Sequence, residues 1–169
     1  YYVAKMTREH VTVALNGDGG DESFAGYERY LADKLADYYR KVPAFIRDGI
    51  FRNLIDRIPH STNRRSFVRR LKRFIKGISE VPERRYVRWI CFFDNEMKRD
   101  LYTASFDECT RGTDSVDLTV GWYGKSDAAA FLDRTLFVDV MSYLPEDLLV
   151  KVDIATMAHS LEGRSPFLS

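Results

Sequence analysis

The sequence predicts a mostly α-helical chain with one or a few parallel strands, as a piece of an α/β fold would have. Three observations predict it. A single β-branched run, Val11-Thr12-Val13-Ala14-Leu15, leads straight into the glycine-rich acidic stretch Asn16-Gly17-Asp18-Gly19-Gly20-Asp21-Glu22. Apolar residues recur at helical spacing through most of the remaining chain. Prolines divide that periodic sequence into about seven helices against one strand.

In chain order, residues 1–9 read as the end of a helix and 11–15 as the one convincing strand. A lone strand is not a sheet, so its partners are expected from elsewhere in a larger parent. Asp21 and Glu22 suit the first turn of the next helix, where carboxylates complement the dipole. That helix is expected to run to about Arg40 and to stop before Pro43. Phe45, Ile46, Ile50, Phe51, Leu54, Ile55 and Ile58 continue the helical spacing up to Pro59. Asn63 is a candidate cap for a helix with the stripe Phe67, Leu71, Phe74, Ile75 and Ile78. Pro82 suits the first turn of another helix, with Tyr86, Trp89, Ile90 and Phe93 as its buried face. Residues 107–125 lack periodicity and read as a loop. Residues 128–141 read as helix. Pro145 is then expected to open a further helix from Glu146 to Leu161, stopped by Gly163 and Pro166.

Composition narrows the function classes. With 169 residues, 45% of them hydrophobic, the chain can build one domain with a real core. A formal net charge of +1 gives no global reason to expect a nucleic-acid partner. The one strong charge cluster is Arg64, Arg65, Arg69, Arg70, Lys72, Arg73 and Lys76. It reads as the solvated face of an amphipathic helix; a surface for an acidic partner is the rival reading. Cys91 and Cys109 form no CxxC pair, so a zinc or redox motif is not expected. No apolar run is long enough to span a membrane, and the opening lacks the order of a signal peptide. A cytoplasmic location is the expectation.

The stretch Asn16–Glu22 holds three glycines and three carboxylates. Asp-Gly pairs are ordinary turn formers, so a plain surface turn is one reading. A calcium loop fits poorly, because Asp18, Asp21 and Glu22 lack its alternating spacing. The apolar strand before the turn supports a third reading. Ligands of open α/β sheets bind just beyond the carboxyl ends of strands. Glycine there lets a ligand approach the main chain. Two carboxylates about 4 Å apart, at an effective dielectric near 20, repel by roughly 4 kcal/mol. Asp18 and Asp21 together would therefore call for a cation or a protonation shift.

A second stretch, YLPEDLLVKVDIATMAHSLEGRSPFLS from Tyr143 to Ser169, reads alone as an amphipathic helix with ordinary ion pairs among Lys151, Asp153, His159, Glu162 and Arg164. Together with NGDGGDESFAGY, however, it resembles the synthetase domain of glutamine-hydrolysing asparagine synthetases. That family carries patterns similar to TGDGGDELFAGY and YLPDDILVKVDRASMAHSLEVRVPFLD. The resemblance covers both ends of the chain. It implies an α/β fold of the ATP-pyrophosphatase, or adenine nucleotide alpha hydrolase-like, kind. On this reading residues 1–169 are an internal fragment of a C-terminal synthetase domain, truncated at both ends and inactive alone.

The resemblance also implies a reaction. ATP adenylates aspartate to β-aspartyl-AMP with release of pyrophosphate, and glutamine-derived ammonia displaces AMP to give asparagine. The implied partners are ATP, magnesium, aspartate and glutamine or ammonia, with a homodimer of the full-length parent and neither nucleic acid nor membrane. Asn16, Gly17 and Asp18 match positions that contact the nucleotide. Asp18 also matches an acidic position tied to formation of the acyl-adenylate. Asp21 matches an aspartate near magnesium and pyrophosphate. Glu162 matches an acidic residue near the reacting centre, a candidate general base. Arg164 is expected to hold local structure or substrate charge.

Departures are equally visible. The family's SGGxDS-like pyrophosphate loop and its glutaminase domain lie outside this sequence. Asn16 replaces a hydroxyl residue, Ser23 an aliphatic one, Gly163 a valine and Ser169 an aspartate. Gly163 is expected to loosen the end of the long helix. These changes keep two other functions open. One is a related ATP-dependent amidotransferase or cyclase acting on another carboxylate in cell-surface polymer or natural-product synthesis. The other is a noncatalytic helical module that binds an acidic partner through Arg64–Lys76.

Overall fold

The computed structural model describes residues 1–43, 74 and 80–169. The expected helices over 45–58 and 63–78, and the basic cluster from Arg64 to Lys76, lie outside the described residues apart from Phe74. The described chain forms two units, one of residues 1–27 with 121–169 and one of residues 28–120.

In the first unit, helix α1 (Tyr2–Arg8) precedes strand β1 (Val13–Leu15), and the acidic turn leads into the short helix α2 (Gly20–Phe24). In the second, α3 (Glu28–Arg40) is followed by α4 (Pro82–Ile90), α5 (Asn95–Leu101), α6 (Ala104–Thr110) and α7 (Ser115–Val120). The chain then returns to the first unit through a 3₁₀ turn (Gly121–Lys125) and α8 (Phe131–Val138). A π-helical segment (Asp139–Leu149) and α9 (Val150–Met157) complete its helices. Strand β2 (Glu162–Arg164) and a 3₁₀ turn (Pro166–Leu168) close the chain. Among the described residues, no helix is long and apolar enough to cross a membrane.

The mostly helical expectation with few parallel strands agrees with these elements, but several local expectations need correction. Strand β1 is not alone: it pairs in parallel with β2, Val13 opposite Glu162 and Leu15 opposite Arg164. Gly163 therefore lies in a strand opposite Ala14 and not at a helix end. The last helix stops at Met157, and the chain turns at Ser160, whose φ is 53°. Asp21 and Glu22 do sit in the first turn of a helix, but it is not continuous to Arg40. Ala25 takes a left-handed conformation at φ 57° and breaks it before α3.

Pro145 does not open a helix either. It sits inside a helical run from Phe131 to Met157 that widens to π winding around it. Proline has no N–H for the carbonyl four residues back, and its ring crowds that carbonyl. The wider winding accommodates both defects. Residues 107–125 are largely helical rather than a loop, because side-chain caps start short helices there. The Thr103 hydroxyl accepts the Phe106 N–H and the Asp114 carboxylate accepts the Val116 N–H.

The first unit buries Ala4, Val138, Leu144 and Leu161, with Tyr123 stacked on Phe131 at 5.6 Å. Helix α2 lies against α8 and the π-helical segment, while α9 lies against α1 and β2. In the second unit, α3 packs on α4 through buried Tyr30, Ala36, Tyr86 and Val87. The expected buried face of α4 holds for Tyr86, whereas Phe93 lies past the helix end and is exposed. Arg85 is fully buried beside Tyr86: its Nε and Nη2 donate to Asp33 Oδ1 at 2.8 and 2.5 Å, and Nη2 also reaches Asp37 at 3.1 Å. Phe74 stacks on Trp89 at 5.6 Å.

Candidate functional site

The two sequence stretches at the chain ends fold onto each other. Beyond the paired residues of β1 and β2, the ladder gains one main-chain bond at each end. Asn16 N–H donates to the Arg164 carbonyl and Glu162 N–H to the Thr12 carbonyl, both at 2.9 Å. The acidic turn thus leaves the carboxyl end of β1 directly beside the end of β2. That is where a ligand of a parallel sheet is expected.

Close packing then joins the turn to the last residues. Gly19 has φ 87°, and a Cβ built on it would lie 2.4 Å from Leu168 Cδ2. A Cβ on Gly20 would lie 3.3 Å from the Phe167 ring. Phe24 meets Phe167 edge to face at 5.7 Å. The left-handed backbone therefore favours glycine at position 19, while Gly20 packs tightly against the Phe167 ring. Gly17 differs: it has ordinary φ, and nothing lies within 4 Å of where its Cβ would stand. Packing does not explain that glycine, whereas a ligand pressed against the main chain would.

The contrast gives a paired expectation. Gly19→Ala should destabilise the complete protein, because it combines a left-handed backbone with a clash. Gly17→Ala should leave unfolding within about 0.5 kcal/mol of wild type yet weaken ATP binding. Thermal unfolding and nucleotide titration of both variants check this. Equal unfolding of both, with equal ATP affinity, would contradict it.

Each candidate residue has a definite place. Asn16 directly follows β1, and its Oδ1 accepts the Ser165 hydroxyl at 2.5 Å and the Asp18 N–H at 3.4 Å. Asp18 is half-buried, and its Oδ2 is fully buried without a hydrogen-bond partner. An unsatisfied carboxylate oxygen of that kind is costly unless a ligand supplies the donor. Asp21 is exposed on α2 and its carboxylate lies over Gly26, where a Cβ would be 2.0 Å from Oδ1. Glu162 and Arg164 share one edge of β2 and form an ion pair at 2.7 Å, with side chains 56% and 64% exposed. At that exposure the pair contributes little to stability. Glu22 is buried and accepts the Tyr27 hydroxyl.

The fold therefore brings Asn16, Asp18 and the β2 backbone together. It does not gather the carboxylates: among the described residues, no three His, Cys, Asp or Glu side chains form a group that could hold a metal ion. Magnesium often takes only one or two carboxylates together with phosphate oxygens, so a lone Asp21 fits an ion delivered on a nucleotide. Ser165 is the residue that sequence reasoning missed. Its signal was present, since the family pattern has valine there and a hydroxyl residue at Asn16. Ser169, the other departure nearby, donates to the Pro166 carbonyl at 3.1 Å.

The asparagine synthase family model matches residues 1–169, the whole chain. Asparagine synthetase (glutamine-hydrolyzing) 1 of Bacillus subtilis is 28% identical over 168 residues, covering 99% of this chain and 25% of that protein. A putative asparagine synthetase (glutamine-hydrolyzing) of Mycobacterium tuberculosis is 29% identical over 168 residues, with 99% and 24% covered. A protein named amidase chry2 from Gibberella zeae is 23% identical over 175 residues, with 94% and 24% covered. The chain thus spans about a quarter of the length of these curated relatives. No solved structure gives a significant match. Paired strand ends, a turn built around its glycines and a match over every residue lead to one conclusion: the chain belongs to the asparagine synthase family.

Proposed function

We propose that this chain is part of a synthetase domain that makes asparagine from aspartate, ATP and glutamine-derived ammonia through β-aspartyl-AMP. The parent domain would have the α/β fold of ATP-pyrophosphatases. The observation that carries the reading is the Asn16-Gly17-Asp18 turn at a parallel strand end, with an open Gly17 and an unsatisfied, buried Asp18 Oδ2.

In this reading the side-chain carboxylate of aspartate attacks the α-phosphorus of ATP, and pyrophosphate leaves. Gly17 lines the nucleotide through main chain, with Asn16 beside it. Asp18 Oδ2 accepts a donor from the bound substrate and so fixes its orientation. Asp21 would offer one oxygen to Mg²⁺ carried by the triphosphate, where the ion offsets charge on the departing pyrophosphate. Ammonia then attacks the acyl carbon and gives a proton to Glu162, AMP leaves, and Arg164 keeps Glu162 in place.

Incubating the complete protein with aspartate, ATP and glutamine tests the reading; asparagine and AMP should form together. The order of steps adds a sharper expectation. Glu162→Gln should slow asparagine synthesis by about 10²- to 10⁴-fold. It should spare ATP–pyrophosphate exchange, because the base acts after adenylation. Unchanged synthesis would remove Glu162 from the site.

A second reading has its own support. The relatives include proteins named amidases, and Asn16, Gly163 and Ser165 depart from the family pattern around one point. The same adenylation would then serve a different carboxylate. Pyrophosphate exchange that ignores aspartate but responds to another acid would favour it.

A further inference from the structure

The amide of Asn16 is held in one orientation by two groups 147 residues apart in sequence, and only one of them belongs to the acidic turn. The Asp18 N–H can only donate, so the oxygen of the amide must face it. The Ser165 hydroxyl donates to the same oxygen at 2.5 Å and comes from the residue just past β2. With both lone pairs of Oδ1 engaged, the two N–H donors of Nδ2 point away from Asp18 and Ser165. Among the described residues Nδ2 makes no hydrogen bond. Its neighbour is Gly163, where even an added Cβ would stand 3.6 Å away and make only ordinary contact.

We propose that Ser165 is a positioning residue. It locks the Asn16 carboxamide so that its N–H groups are presented to an oxygen-rich ligand at the strand ends. The inference rests on the nucleotide reading above and deepens it, since the ligand is the phosphoryl group of the bound adenylate. A neutral amide held in this way adds directed donors at a turn whose own side chains, Asp18 and Asp21, are acidic. Ser165 touches no ligand itself and acts through Asn16.

The test uses the complete protein and measures ATP affinity by titration, with KM and kcat for ATP–pyrophosphate exchange. Ser165→Ala should weaken ATP binding and raise KM by about tenfold, the value of one hydrogen bond, with the effect confined to KM. Ser165→Thr keeps the hydroxyl and should restore affinity. In an Asn16→Ala background, Ser165→Ala should add nothing, whereas a purely structural role would still show. Wild-type affinity in Ser165→Ala, or an equal loss in both backgrounds, would overturn the proposal and leave the nucleotide reading standing. A wild-type protein that binds no ATP would remove both.

Discussion

Asp18→Asn in the complete protein is expected to reduce ATP–pyrophosphate exchange by about 10²- to 10⁴-fold without lowering thermal stability. Asp18 Oδ2 is buried and makes no hydrogen bond among the described residues. The folded chain bears the cost of desolvating that oxygen and receives no compensating bond. Replacing the carboxylate by a neutral amide therefore removes no internal contact of Oδ2, and stability should hold or rise slightly. On the proposed reading, what is lost is the charge that would receive the substrate. Asp21→Asn should give a comparable loss of exchange for a different reason: on the proposed reading it removes an oxygen that would hold the magnesium carried by the triphosphate. Raised magnesium should partly rescue Asp21→Asn and should not rescue Asp18→Asn. Exchange at wild-type rates in both variants would refute both assignments.

The largest effect on stability is expected in the second unit. Asp33→Ala should destabilise it by about 3–5 kcal/mol, because it strands the buried Arg85 guanidinium. Asp37 is the remaining carboxylate at 3.1 Å, and its side chain is 54% exposed. It cannot compensate fully across solvent. Replacing the pair together, Asp33→Leu with Arg85→Met, should cost far less, since a buried pair exchanged for apolar groups is often nearly neutral. Amide hydrogen exchange in α4 of the complete protein checks this locally. Equal protection loss in the single and double variants would contradict it.

The same pair makes an unusual pH expectation. Burial pushes the Asp33 carboxyl above the ordinary aspartate range, against the pull of the Arg85 guanidinium. The folded state then holds this proton to a higher pH than the unfolded chain does. The contribution of Asp33 is thus complete below the ordinary carboxylate value and declines as pH rises through the raised one. A salt-bridged aspartate with a depressed value behaves in the opposite sense. The stability advantage of wild type over Asp33→Asn should shrink as pH rises above the ordinary aspartate range.

What the sequence made legible follows from where the physics is local. A β-branched run marked β1, and Pro43 and Pro82 marked helix boundaries because proline acts on its own turn. Strand β2 had no such mark. Glu162-Gly163-Arg164 has neither apolar alternation nor β-branching, and it is extended because β1 offers an edge to it. Helices α5, α6 and α7 bury no residue, so they carried no apolar period to detect; caps at Asp94, Thr103 and Asp114 start them instead. Nothing local in the sequence marked Arg85 as buried, since its partners on α3 are about fifty positions away. At the site, residue types and spacing picked out Asn16, Asp18, Asp21 and Glu162 through resemblance. Geometry alone distinguished the packing glycines 19 and 20 from the open Gly17, and joined Asn16 to Ser165.

The most direct measurement is a crystal structure of the complete protein soaked with AMP. The expected result has the phosphate of AMP within hydrogen-bonding reach of the Gly17 main chain and the Asn16 side-chain amide, alongside the end of β2. Adenylate bound at another surface, with the 16–21 turn empty and facing bulk water, would contradict it.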